Sequence, residues 1–241
     1  ADSAEMRFMS YDSPELKLLQ QETNIPLRIS PNRFASNLFK DPSRLEDAQK
    51  LMSELFTIAA DMQDIEHLKV NLFDAFTDEE MRALYVWNCA KMFHQNGRGA
   101  ASRDIPAQCA ANLWQDFTDK ADEAMASGHP AAHLRFGHDT ALYRLLSLLK
   151  AVPTLPGAAD GIHGKLDEIV PMGANLQLVF CKSATNLVVG FYLNEKPLSL
   201  SGLRPVLTTG VGTSWYLWDD VKAHCQHYLD KQRLMNRTRS I

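Results

Sequence analysis

The stretch Leu134-Arg135-Phe136-Gly137-His138-Asp139-Thr140-Ala141-Leu142-Tyr143-Arg144-Leu145-Leu146 decides how this chain folds. Its second half predicts an amphipathic helix, because apolar residues recur there at spacings of three and four. Those residues are Leu142, Leu145, Leu146 and Leu149. In the first half, Leu134 and Phe136 alternate with polar residues, which predicts a short, half-buried strand. The sequence therefore predicts a strand, a turn and a helix in direct succession.

A His-Asp pair, His138 and Asp139, stands at the junction of the two predicted elements. Gly137 precedes it and permits a sharp turn close to a ligand. Open α/β sheets bind ligands at the carboxyl ends of their strands, and a helix N-terminus attracts anions through its unpaired N–H groups. An Asp at this place is also a common N-cap residue. The local pattern alone thus allows either a site or a helix cap.

Composition limits the classes of partner. The chain has 241 residues, a mass of 27.1 kDa and a net charge of −4, which gives no basic field for nucleic acid. No apolar run reaches the length of a membrane span. The spacing of the four cysteines excludes a CxxC motif and leaves two disulfides or four thiols open. They are Cys89, Cys109, Cys181 and Cys225.

Helices are predicted throughout the first half of the chain. The capping-box pattern Ser43-Arg44-Leu45-Glu46 predicts the start of a helix that continues to Met62. A second box, Thr77 to Glu80, predicts a helix that ends at Asn96-Gly97. Residues 105–126 predict one long helix with Pro106 in its first turn.

The period of the apolar residues changes after residue 170. Alternation over 176–180 and 187–193 predicts two antiparallel strands, and 194–197 predicts a turn. A last helix is predicted from Trp215 to about Leu234, with its aromatic residues in the core. The sequence as a whole predicts an α/β fold.

Three segments carry a family resemblance. The segment 134–140 resembles the C-terminal His-Asp signature of the histidine acid phosphatases, the phytase branch of the histidine phosphatase superfamily. Within that branch it is most similar to the multiple inositol polyphosphate phosphatases. Phe76-Thr77-Asp78-Glu79-Glu80 resembles a helix start in the helical cap of phytases, and the hairpin after Met172 resembles a phytase hairpin, with Asn175 where that hairpin has Glu.

The resemblance implies a phosphoglycerate-mutase-like α/β core with a helical cap domain. Residues 1–128 would be the mostly helical cap region, and residues 129–241 would be the C-terminal part of the core. The implied activity is hydrolysis of phosphomonoesters, with inositol polyphosphates such as phytate as substrates and no cofactor or metal. The implied location is periplasmic or secreted.

The resemblance also implies roles for individual residues. His138 would contact the phosphoryl group, Asp139 would donate a proton to the leaving alcohol, and Thr140 would line the pocket. Phosphoryl transfer needs positive charge around the equatorial oxygens, and an alkoxide leaves poorly without a proton.

The family's nucleophile is absent from the sequence. The motif Arg-His-Gly-x-Arg-x-Pro supplies the histidine that becomes phosphorylated, and no Arg-His-Gly occurs in this chain. We therefore expect the chain to be the C-terminal part of the enzyme, to require the missing N-terminal segment of the same protein as its partner, and to be inactive alone. We expect neither nucleic acid nor membrane as a partner.

Two other functions remain open at this point. In a metal-dependent HD-type phosphohydrolase, His138 and Asp139 would be metal ligands, completed by His67, His94 or His133. The antiparallel hairpin argues against that all-helical class.

The second alternative is a non-catalytic module that binds a phosphate ligand. Its basic pocket would come from Arg28, Arg33 and Lys40, which otherwise predict a solvated surface.

Overall fold

The computed structural model describes residues 14–22, 25–62, 65, 67, 69–97, 104–129, 132–151, 169–182 and 186–238. These residues form helices and an antiparallel sheet, consistent with the general α/β class. The helices are α1 (Pro14–Glu22), α2 (Asn32–Leu38), α3 (Ala48–Asp61), α4 (Asp78–Asn96), α5 (Ile105–Cys109), α6 (Ala111–Ser127), α7 (Asp139–Leu148) and α8 (Trp218–Thr238). The strands are β1 (Leu176–Lys182), β2 (Leu187–Leu193), β3 (Lys196–Leu198), β4 (Leu207–Thr208) and β5 (Ser214–Leu217).

The chain divides into two compact units. The smaller unit is Asn24–Lys91, and the larger comprises Ala1–Thr23 and Met92–Ile241. This division does not fall at residue 128. The assignment of 1–128 to a cap and 129–241 to a core therefore stays a prediction.

An aromatic core holds the smaller unit together. Phe34 and Phe76 stack with their ring centroids 4.8 Å apart, and Phe56 meets Phe76 edge-on at 5.9 Å. Met52 and Leu84 complete the buried cluster and have no exposed surface. Burial of such side chains contributes about 1.5–3 kcal/mol each, so this cluster contributes strongly to the stability of the unit.

In the larger unit, Trp218 at the start of α8 is the centre of a second aromatic cluster. Its ring meets that of Trp114 on α6 at 5.8 Å and that of Phe180 on β1 at 4.9 Å. The indole Nε1 of Trp218 donates a 2.7 Å hydrogen bond to Asp122. Trp218 therefore joins α6, α8 and the sheet, as expected for an aromatic residue in the core.

The sheet of the larger unit has the order β1-β2-β5-β4, with every described pair antiparallel. Strand β3 also pairs with β2, opposite Phe191 to Leu193. The predicted hairpin is confirmed, because Leu176 to Lys182 pair with Leu193 to Leu187 in register. The predicted turn is shorter than expected, because Lys196 and Pro197 already belong to β3. The bend of the hairpin at 183–185 lies outside the described residues.

The first of the two capping boxes was predicted wrongly. Asp47 is the N-cap of α3, and its side chain accepts a 2.8 Å hydrogen bond from the Lys50 amide. The residues Pro42–Arg44 form a separate 3-10 turn capped by Asp41. A better-placed aspartate therefore starts the helix four residues later than the Ser43–Glu46 pattern indicated.

The helix predicted over 105–126 is interrupted. It consists of α5 and α6, which meet at Ala110. Cys109 on α5 packs with Leu16 and Leu19 of α1, whereas Trp114 on α6 packs against Trp218. The break allows the two helices to bury residues in two different clusters. The predicted position of Pro106, in the first turn, is confirmed.

The last helix begins three residues later than predicted. Trp215 to Leu217 belong to β5, with Trp215 opposite Gly190 of β2. A Cβ added at Gly190 would lie 3.3 Å from the Trp215 ring, so the glycine makes room for the indole. Aromatic residues favour strands, and the acidic first turn of α8 marks the true helix start.

No helix among the described residues has both the length and the apolar character needed to cross a membrane.

Candidate functional site

The His-Asp pair lies at the N-terminus of α7, as the sequence predicted. His138 is the N-cap residue, with extended backbone (φ −89°, ψ 158°), and its carbonyl accepts the Ala141 amide at 3.0 Å. Asp139 is the first helical residue, and its Oδ1 accepts a 2.7 Å hydrogen bond from the Thr140 amide. His138 and Asp139 are exposed and Thr140 is half-buried, so a ligand can reach all three.

The helix behind the pair is firmly packed. Leu145, Leu146, Leu148 and Leu149 are all at most 4% exposed. The predicted apolar face of α7 is therefore confirmed at Leu145, Leu146 and Leu149, whereas Leu142 is half-buried and Leu148, which the spacing did not include, is buried. This burial fixes the helix axis, and with it the direction in which the first-turn N–H groups point.

The half-buried strand predicted before the pair does not form. Residues 132–138 form no strand, and Leu134 and Phe136 are 76% and 95% exposed. Within the described part of the chain, no other strand pairs with this segment and no apolar surface covers it. The strand prediction is wrong because the described part of the chain supplies no surface against which Leu134 and Phe136 could be buried.

Arg135 faces in a different direction from its two apolar neighbours. Its Nε donates a 2.7 Å hydrogen bond to Oδ2 of Asp116 on α6, and its Nη2 donates to the same oxygen. The guanidinium carbon also lies 5.4 Å from the centroid of the Phe117 ring. Because the Asp116 side chain is only 16% exposed, solvent screens this ion pair less than a fully exposed one.

A second arginine, Arg144, lies inside the larger unit. It is 3% exposed, and its Nε and Nη2 donate to Oδ1 of Asn96 at 3.0 and 2.8 Å. Ser147 donates to the Asn96 carbonyl at 3.3 Å. Asn96 thus joins the end of α4 to α7, the helix that carries the His-Asp pair. Sequence analysis missed both arginine contacts, since no local pattern marks a partner 19 or 48 residues away.

Asn175 stands where the phytase hairpin has Glu, and it forms hydrogen bonds with other residues of this hairpin. Its Nδ2 donates to Oε1 of Glu195 at 2.7 Å, and its backbone amide donates to Oδ1 of Asn194 at 3.1 Å. Gln177 donates to its Oδ1 at 3.0 Å. The side chain therefore serves to close the strand ends.

The histidines proposed as metal ligands do not assemble. Among the described residues, no three His, Cys, Asp or Glu side chains are grouped as a metal would require. Those residues include His67, His94, His133, His138 and Asp139. The HD-type metal site accordingly gains no support from the geometry.

The proposed basic group of the smaller unit contains an arginine that is already neutralised. Arg33 donates through Nε to Oε1 of Glu80 at 2.7 Å and through Nη2 to Oε2. Oε2 also accepts the Thr77 amide at 2.9 Å, which confirms the second capping box. Burial acts to raise the pKa of the Glu80 carboxyl, but the bonds from Arg33 and Thr77 outweigh it and hold that pKa below its usual value. Arg33 is thus paired with Glu80, whereas Arg28 and Lys40 are exposed, as is the remainder of Arg33.

All four cysteines lie in the described part of the chain, and none is disulfide-bonded there. Cys89, Cys109 and Cys225 are buried and Cys181 is exposed.

No known family model matches the chain, and no curated protein is significantly similar to it in sequence.

Proposed function

We propose that this chain is the C-terminal part of a histidine acid phosphatase that hydrolyses phosphomonoesters, with inositol polyphosphates such as phytate as substrates. Its core would be of the phosphoglycerate-mutase type, and the enzyme would be periplasmic or secreted. One observation carries the proposal. An accessible His-Asp pair starts a packed helix, directly after an apolar segment that has no cover in the described structure.

The chemistry follows from that arrangement. The N–H groups at the start of α7 and the imidazole of His138 would together stabilise the phosphoryl oxygens. Asp139, one residue further, would protonate the leaving alcohol, and Thr140 would line the pocket. The phosphorylated histidine would come from the missing N-terminal segment, so the 241-residue chain alone would not turn over substrate.

The mass of the protein isolated from its source tests the missing segment directly. We expect an intact mass well above 27.1 kDa and an Arg-His-Gly motif in the additional sequence. A mass near 27.1 kDa would overturn the missing-segment proposal and leave the non-catalytic phosphate-binding module.

Substitution of Asp139 tests the catalytic assignment. In the longer protein, Asp139→Asn should lower kcat for phytate by roughly 10²–10⁴, the usual contribution of a general acid. The matched control is Asp219→Asn, because Asp219 is an exposed aspartate in the first turn of α8. Equal activity of the two variants would remove Asp139 from the mechanism. EDTA-resistant phytate hydrolysis by the 241-residue chain would contradict the requirement for the missing nucleophile.

Phe136 tests whether the missing segment covers the apolar residues. In the isolated chain, where Phe136 is 95% exposed, Phe136→Ala should change the free energy of unfolding by no more than about 0.5 kcal/mol. In the longer protein it should cost about 3–5 kcal/mol, the range for a buried phenylalanine. Val211→Ala is the control, since Val211 is 81% exposed and lies in the loop between β4 and β5. The same small effect of Phe136→Ala in both proteins would contradict the proposed cover.

A further inference from the structure

The segment that leads into the His-Asp pair has little backbone support. Within the described part of the chain, residues 132–137 make no hydrogen bond to another backbone group. Leu134 and Phe136 are exposed and therefore contribute little packing. Among the described residues, the contacts left to hold the segment are therefore those of its other side chains.

Arg135 makes those contacts. Two of its nitrogens reach one carboxylate oxygen of Asp116, and its guanidinium lies over the Phe117 ring, so both partners belong to one turn of α6. A planar guanidinium held by a carboxylate and an aromatic face is restricted in rotation as well as in distance. The tether joins the segment at a point three residues before His138.

The base of the tether is itself rigid. Helix α6 is fixed in the larger unit by Trp114, which has no exposed surface and packs against Trp218. Asp116 and Phe117 follow Trp114 within the same turn. A displacement of Arg135 relative to α6 would therefore require breaking its ion pair with Asp116.

We propose that Asp116 and Arg135 are positioning residues for His138 and Asp139, a role that rests on the proposed phosphatase function. They touch neither substrate nor reacting atoms. They hold the segment before His138 in place, so that the imidazole and the carboxyl are directed to the same phosphoryl group. Loss of this alignment would reduce the rate of the chemical step more than substrate affinity, because a displacement of about 1 Å can cost 10²-fold in rate.

The first experiment measures the tether in the 241-residue chain and needs no activity. Backbone ¹⁵N relaxation should give order parameters near 0.85 for residues 134–138 in the unsubstituted chain and below about 0.6 in Asp116→Ala. Asp119→Ala is the matched control, because Asp119 lies on the same helix and accepts a 2.8 Å hydrogen bond from Gln115 of that helix. Unchanged order parameters in Asp116→Ala would overturn the tether.

The second experiment measures kinetics in the longer protein. Asp116→Ala should lower kcat at least tenfold while KM changes less than twofold, and Asp116→Asn, which keeps an acceptor oxygen, should recover part of the loss. Asp119→Ala should leave both constants unchanged. Loss of order without loss of kcat would overturn the positioning role. A longer protein with no turnover at all would refute the proposed function, while the order parameters would still decide the tether.

Discussion

The ion pair between Glu80 and Arg33 gives the most direct test of what stabilises the smaller unit. Glu80 is 1% exposed, accepts two hydrogen bonds from Arg33 and one from Thr77, and closes the capping box at the start of α4. Glu80→Gln retains the size of the side chain but removes its charge. It also places an NH₂ group beside donors, whichever way the amide is turned.

The magnitude can be worked out from these contacts. Breaking a fully buried ion pair costs about 3–5 kcal/mol. The Arg33 side chain is 41% exposed and can be hydrated again, which lowers the cost. The capping box itself is retained, because a glutamine oxygen can still accept the Thr77 amide, whereas Thr77→Ala removes the box from its N-cap side. We therefore expect Glu80→Gln to reduce the free energy of unfolding by about 2–3 kcal/mol and Thr77→Ala by about 1 kcal/mol.

Hydrogen exchange of the amides in the first turns of α4 is a suitable assay, because it reports the local opening free energy of the helix within the smaller unit. Glu79→Gln is the control, since Glu79 is exposed in the same helical turn and should change the value by less than about 0.5 kcal/mol. Equal effects of Glu79→Gln and Glu80→Gln would refute the reasoning.

The same pair predicts a pH dependence of stability. The pKa of Glu80 is lower in the folded chain than in the unfolded chain, where it would have the ordinary value of about 4.3. The unfolded state then binds the proton more readily than the folded state. The ion pair's contribution to stability is therefore fully present above the unfolded-state pKa and is lost as the pH falls below it. The unsubstituted chain and Glu80→Gln should therefore differ less in free energy of unfolding under those acidic conditions. A difference that stays constant would contradict the ion-pair interpretation.

Three further predictions concern the larger unit. Burial raises the pKa of the Cys225 thiol to about 12. In the folded chain, iodoacetamide should therefore alkylate exposed Cys181 at least tenfold faster than Cys225, which mass spectrometry can measure. Gly190→Ala should lower Tm in a thermal scan, because its Cβ would lie 3.3 Å from an indole on the next strand. Asn96→Ala should cost about 2–3 kcal/mol in urea unfolding, because it removes the acceptor of two hydrogen bonds from buried Arg144.

Sequence patterns predicted the elements well where the deciding residues are neighbours. The Thr77–Glu80 box depends on two residues within one turn, and it forms as expected. The alternation in β1 and β2 is likewise local, and the hairpin register follows from it. Local rules failed where two signals competed, as at Ser43 and Asp47, where the aspartate caps the helix. They also failed at Trp215, where the room provided by Gly190 on another strand favours β5.

The candidate site shows a different limit of sequence reasoning. The position of His138 and Asp139 at a helix start follows from the leucine spacing, and the structure confirms it. The contacts that control the site's surroundings join residues far apart in sequence, such as Asp116 with Arg135 and Asn96 with Arg144. Neither pair leaves a periodic or local pattern, so only the folded chain reveals them.

Leu134 and Phe136 belong to an alternating apolar pattern in the sequence, yet both side chains are exposed in the structure. A strand with alternating apolar residues normally buries its apolar face. An exposed apolar strand favours association with other chains. Here Arg135 binds α6 on one side, and the two apolar side chains lie uncovered. The segment therefore contacts α6 through Arg135, while its apolar side chains lack the cover that the alternating pattern predicts. The N-terminal segment proposed above would cover Leu134 and Phe136 directly beside His138, where the proposed phosphatase mechanism would place its nucleophile.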